Sequence, residues 1–375
     1  MKTALNTDFA ELHRQVAFGT SGGRILWQPR IQCWYSDKKF AGDPLPEPYE
    51  GMSPPDIFRA LGCSARLYGQ YNRCLRYRED PSVKFSEKKI NETDTETLIE
   101  TPAGNQRKIM RSTPNSPRNI HVKWEVASEA EMKAAIWRVE HSDFEWDAEA
   151  YETAVETVGD LGAPTVYLPR HTIQDLYINQ MGVENAIYAL LDYPETCREY
   201  FRALTGKQNQ LIREIINPSP VEIINFGDNV HAGTLSPNLF REHLLPVYQE
   251  QCELLHDGEK FVHAHWDGDC GPLLPFAQET GLDGIEAITP KPQGDVTLEQ
   301  VKAALGKDMF LIDGLPAVYF DRTYSVKDLI ECTHQLIDLF APKLILGVSD
   351  EISSTGDIER VRIVGEIVDE YNSRQ

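Results

Sequence analysis

Residues 221–266 read VEIINFGDNVHAGTLSPNLFREHLLPVYQEQCELLHDGEKFVHAHW. The segment opens on a short apolar run, VEIINFG (221–227), and closes on another, KFVHAHW (260–266). Between them, residues 236–257 place apolar side chains three and four apart, the spacing of an amphipathic helix. A strand, a helix and a strand in succession imply parallel strands, since an antiparallel pair needs only a tight turn.

The same rhythm continues on both sides. Apolar runs at 163–169 (APTVYLP), 284–288 (GIEAI), 309–314 (MFLIDG) and 343–350 (KLILGVSD) alternate with helical patterns such as ENAIYALLDYPETCREYFRALTGKQNQLIREI, CGPLLPFAQETG, TLEQVKAALGK and VKDLIECTHQLIDLF. Strands near 24–31 (RILWQPRI) and 119–126 (NIHVKWEV) bring the number to eight. Eight strands of this kind predict an α/β fold, a closed (β/α)8 TIM barrel in preference to an open doubly wound sheet. No Gly-rich phosphate fingerprint follows any of them, so a dinucleotide-binding sheet loses its main support.

The first third of the chain is irregular. GDPLPEPYEGMSPPD (42–56) carries five prolines, and no helical or strand period survives that density. Polar and apolar residues then alternate around Pro102-Ala103-Gly104, as in antiparallel strands meeting at a turn. The expected organisation is one domain over 1–375, with residues 40–118 as a cap or antiparallel elaboration of the barrel.

Composition narrows the function. With 41% hydrophobic and 25% charged residues the chain is globular, and its formal charge of -21 speaks against a nucleic-acid partner. The start, MKTALNTDFAELHRQ, lacks the apolar core of a signal peptide, and no run of about 18 apolar residues occurs. The expectation is a cytoplasmic protein without a membrane partner. Seven cysteines form no CxxC pair, which points to reduced thiols.

In a barrel of this kind chemistry gathers where strands end. Those ends carry Asp228, His265 with Asp267, Glu286, Asp313, and Asp350 with Glu351. An acid there can equally cap the following helix. Glu286 lies inside an apolar run and needs a buried partner, so it joins Asp228 and the nearby His231 as a catalytic candidate. Strand alternation puts His263 and His265 on one face, His263 deeper as hydrogen-bonded support and His265 at the rim. A catalytic zinc takes three protein ligands, a count met by His265, Asp267 and a later acid such as Asp350. Cys270 reads as helix packing. Trp27, Arg30, Trp34 and Tyr35 in RILWQPRIQCWY are substrate-binding candidates, able to stack on a flat ring or meet a carboxylate. They read as well as core aromatics and a surface arginine.

Taken in order, FGDNVHAGTLSPNLFREHLLPVY, VHAHWDG, ETGLDGIEAITP, GDVTLEQVKAALGKDMFLIDGLPA and LILGVSDEIS resemble the uroporphyrinogen decarboxylase and cobamide-dependent methyltransferase superfamily. The resemblance covers roughly residues 120–370. Decarboxylases of that family carry an arginine-rich motif near the start; here PRIQCWY holds the single Arg30, which implies a different substrate. The methyltransferase branch binds zinc through a His-x-Cys pair and a later cysteine. His265 falls on the histidine, Asp267 on the first cysteine, and Asp350 or Glu351 near the last.

Oxygen acids in place of thiolates imply a harder Lewis acid, suited to an ether or hydroxyl oxygen. The resemblance thus implies the substrate-side methyltransferase of an O-demethylase system. Its donor would be a small methylated compound, a methoxylated aromatic first, and its acceptor the cobalamin of a separate corrinoid protein. No DxHxxG pattern occurs in the chain, so that cofactor is expected on the partner. Pairing is common in this family and implies a homodimer. Two alternatives stay open: a metal-free decarboxylase-like lyase with Asp228 and His265 as acid and base, and a module that binds a corrinoid or tetrapyrrole.

Overall fold

The computed structural model describes residues 7–114 and 116–375. Its thirteen strands are β1 (Leu26–Trp27), β2 (Leu75–Arg78), β3 (Lys84–Lys89), β4 (Asp94–Thr101), β5 (Gly104–Thr113), β6 (Ser116–Lys123), β7 (Asp143–Trp146), β8 (Thr165–Leu168), β9 (Ile223–Val230), β10 (Phe261–Trp266), β11 (Gly284–Glu286), β12 (Phe310–Leu315) and β13 (Leu344–Val348). Seven of them form one parallel sheet in the order β1-β13-β12-β11-β10-β9-β8.

The sheet curls. Leu26, Ile223, Phe261, Phe310, Ile312 and Ile345, contributed by five strands from the edge strand β1 across to β9, meet in a single apolar cluster with Leu12, Val16 and Ala17. Those last three lie on the helix Phe9–Ala17, which Asp8 caps by accepting the Glu11 amide. This helix closes the inner face at the start of the strands, where each fully buried Leu, Ile or Phe stabilises by about 1.5–3 kcal/mol.

Two sequence expectations are corrected here. NIHVKWEV (119–126) is not a barrel strand: most of it forms β6, in a four-stranded antiparallel sheet of order β3-β4-β5-β6. Its side chains are largely exposed, whereas a parallel barrel strand must be apolar on both faces. The eight-stranded barrel is consequently not closed, because β1 and β8 are the unpaired edges of the seven-stranded sheet. The chain near Cys63–Arg66 lies across that gap. The Ser64 amide donates to the Trp27 carbonyl at 3.0 Å and the Ala65 amide to Leu161 at 2.8 Å. The Cys63 amide is already spent on the preceding helix end at Phe58, so the segment pairs too briefly to make a ladder.

Proline sets several element boundaries. The long pattern before β9 divides into Val183–Asp192 and Pro194–Leu211, since the ring of Pro194 fits a first turn and no later one. CGPLLPFAQETG winds as a 3-10 helix, Gly271–Glu279, with Pro275 inside it. TLEQVKAALGK forms Leu298–Leu305, opened by a reciprocal Thr297–Gln300 capping box. Among the described residues no helix is long and apolar enough to cross a membrane.

Candidate active site

Strand register fixes the centre of the site. His265 pairs with Glu286 across β10 and β11, and His263 pairs with Asn225 across β10 and β9. Glu286, fully buried, gathers the surrounding polar groups. Its Oε1 receives Arg66 Nη1 at 2.9 Å, Tyr68 Oη at 3.1 Å and Tyr167 Oη at 3.4 Å, with His265 Nδ1 at 3.2 Å. Its Oε2 meets His263 Nδ1 at 3.1 Å and the Asn225 amide. Burial alone would raise this carboxyl; Arg66 and the hydrogen bonds from both histidines outweigh it and hold Glu286 well below the usual range.

Arg66 serves a second acid. Its Nη2 reaches Asp313 Oδ1 at 2.7 Å, and its Nε donates to Gln28 at 2.7 Å. Asp313 sits at φ +75, a conformation costing about 1–3 kcal/mol in a residue other than glycine. Gly347 makes room for it, since a Cβ there would stand 2.1 Å from Asp313 Oδ1. Burial pushes Asp313 up to about 6 against the pull of Arg66, and the Glu286 charge adds to the rise. Of the two acids sharing one guanidinium, Glu286 is the one that loses its proton first as pH rises.

Above this network opens a cleft of about 440 Å3, lined by Arg30, Tyr167, Arg170, His265 and the backbone around Gly227–Asn229. Arg30 lies 3.7 Å from Glu286 and 3.5 Å from Glu351, yet its Nε and Nη1 have no hydrogen-bond partner. With Nδ1 of His265 held by Glu286, the other ring nitrogen is the one free for the cleft. Arg30, Tyr167 and His265 can together stabilise negative charge on a bound oxygen, and the His265–Glu286 pair can hold or deliver a proton.

Arg30, His265 and Glu286 of the sequence candidates thus come together, and the others stand apart. Trp27 is buried against the helix Arg360–Asn372, where its Nε1 donates to the Val361 carbonyl at 3.1 Å. Trp34 is core as well, edge-on to Tyr49. Neither tryptophan faces the cleft; both fill space between the sheet and outer helices. Tyr35 is half-buried, and burial followed by the Glu351 charge pushes it up to about 12. Asp228 turns its carboxylate away from the cleft, accepting from the His171 amide at 2.9 Å, meeting His171 Nδ1 at 2.6 Å and accepting Tyr248 Oη at 2.8 Å. His231 accepts the Gly233 amide at 2.8 Å and packs on Gly268.

Among the described residues no three His, Cys, Asp or Glu side chains are gathered as a metal site. Asp350 is raised by desolvation and then by the charge of Asp267, so these two acids feel each other and His265. The His265, Asp267 and Asp350 donor set does not fit a resident zinc as placed, because the three side chains do not converge on one point; the contact of His265 Nδ1 with Glu286 would by itself be compatible with a metal on the other ring nitrogen.

Arg66, Tyr68, Tyr167, Asn225 and Arg170 escaped the sequence reading. Tyr167 and Asn225 sat in expected strands and could have been found by asking which uncharged polar residues point inward. Arg66 and Tyr68 lie in the turn-rich region, where no period assigns a facing.

The uroporphyrinogen decarboxylase (URO-D) family model matches residues 152–371, more than half of the chain. The chain belongs to the uroporphyrinogen decarboxylase family. Among solved structures, a methyltransferase from Methanosarcina mazei superimposes with TM-score 0.58 at 11% identity, over 97% of this chain and 99% of that one. The shared fold therefore includes the residues before 152. The GH18 chitinase ChiB of Flavobacterium johnsoniae aligns over 59% of this chain and 81% of its own at 11% identity, with TM-score 0.34, too low to carry any argument. No curated protein matches by sequence.

Proposed function

We propose that this chain is a substrate-side methyltransferase of the URO-D family, taking a methyl group from a small methylated compound, a methoxylated aromatic first. The acceptor in this reading is the cob(I)alamin of a separate corrinoid protein. The observation that carries it is the convergence of Arg30, Tyr167 and His265 on one cleft above the neutralised Glu286.

Removing a methyl group from an aryl ether leaves the electron pair of the C–O bond on oxygen. That oxygen needs charge stabilisation and then a proton. The Arg30 guanidinium, which borders the cleft, supplies the first. His265 supplies the second through the ring nitrogen facing the cleft, while Glu286 fixes the ring. Cob(I)alamin, docked on its own protein at the open mouth, would provide the nucleophile for the methyl carbon. No step is routed through zinc.

The test is spectrophotometric. Purified protein, a panel of methoxylated aromatics and cob(I)alamin are combined, and conversion to methylcobalamin is followed by absorbance. Protein-dependent conversion supports the proposal. Carbon dioxide release from a carboxylated ring, without methylcobalamin, would support the lyase instead.

A further inference from the structure

Part of the cleft takes no part in the chemistry above. Arg170, Asn179 and Asn229 line it next to Leu168 and Pro169. Arg170 follows β8 closely, and its Nη1 donates to the Gly227 carbonyl, which fixes the side chain without neutralising it. Two acids lie nearby and both are committed. Asp175, which feels the Arg170 charge, is bonded by Asn179 at 2.7 Å and by Tyr200. Asp228 is held by His171 and Tyr248.

Of the two arginines lining the cleft, Arg30 is paired with Glu286 and Glu351, whereas no acid among the described residues lies in ion-pair contact with Arg170, in a chain of formal charge -21. A strongly negative protein repels anions at long range, so an uncompensated cation at a concave spot serves local recognition and not steering. A planar guanidinium flanked by amides matches a carboxylate, and about 440 Å3 suits one ring with a small substituent or a shorter chain.

We infer that the methylated substrate carries a carboxylate, and that Arg170 receives it as a specificity-determining contact remote from the reacting methyl. The word methylated rests on the methyltransferase reading; the charge does not.

The experiment is calorimetric titration of the full chain without corrinoid, using 3-methoxybenzoate, 3-methoxybenzamide, methoxyacetate and methoxyacetamide. At least one acid should bind 10-fold or more tightly than its amide, by the worth of a charge-assisted pair. Arg170→Gln should bring acid and amide within about twofold of each other, and Arg170→Lys should keep part of the preference. Circular dichroism checks that each variant is folded. Amides binding as well as acids, no binding of any probe, or a preference surviving in Arg170→Gln would overturn the inference. A carboxylate preference without methylation of cob(I)alamin removes the methyltransferase reading alone. Methylation from amide and acid at equal rates removes the carboxylate inference alone.

Discussion

His265 Nδ1 lies 3.2 Å from Glu286 Oε1, the same oxygen that Arg66 Nη1 reaches at 2.9 Å. One carboxylate oxygen thereby couples a cleft-facing imidazole to a buried cation. His265 is nearly buried but borders open space, so replacing it should touch chemistry more than folding. His265→Ala is expected to lower kcat by about 10²- to 10⁴-fold, the usual worth of a general acid. Its urea midpoint should stay close to that of the parent. A lost midpoint with normal kcat in the folded fraction would make His265 structural.

Arg66 is the reverse case. It is buried between two carboxyl groups and touches no open surface of the cleft. Arg66→Met leaves Glu286 uncompensated in the interior, and urea unfolding should show a loss of about 3–5 kcal/mol. A loss below about 1 kcal/mol would mean that water or another cation reaches the pair.

His13, on the helix that closes the inner face, is nearly fully buried, and its Nδ1 has no partner. Burial, followed by the charges of Arg66 and His263, lowers it from 6.5 to about 3. The unfolded chain binds this proton below 6.5 and the folded chain does not until about 3. Stability is therefore lost as pH falls through that window, by up to roughly 1.4 kcal/mol per pH unit from this group. Unfolding curves of the parent and His13→Leu, measured from pH 7 to pH 4, should diverge with that sign. Parallel curves would place His13 in contact with water.

Trp27→Ala should cost about 3–5 kcal/mol as a core truncation. Substrate affinity in the folded fraction should be unchanged, since Trp27 packs toward the helix Arg360–Asn372 and not the cleft. Titration of the variant below its unfolding midpoint checks this; a weakened Kd would return Trp27 to the site.

The sequence made the parallel strands legible because each is a short apolar run bounded by helical spacing, as β9, β10 and β13 show. Strand ends then pointed to Glu286 and His265 without any knowledge of their pairing. Two things were not legible. Trp27 and Arg30 sit three residues apart, and nothing in local spacing says which faces the cleft. The passage at Cys63–Arg66 carries no period, and the run at 119–126 reads as a barrel strand in its place. Its alternation of polar and apolar residues was the sign of a one-sided antiparallel sheet.

In the proposed reaction a methyl carbon leaves a substrate oxygen in the cleft formed by Arg30, Tyr167 and His265. A substrate carrying a ¹³C-labelled methoxy group is incubated with cob(I)alamin and the purified chain, and both products are followed by mass spectrometry. Labelled methylcobalamin and an equal amount of unlabelled demethylated product are expected, both nearly abolished by His265→Ala. Label remaining in the substrate while a carboxyl group departs as carbon dioxide would contradict the proposed reaction.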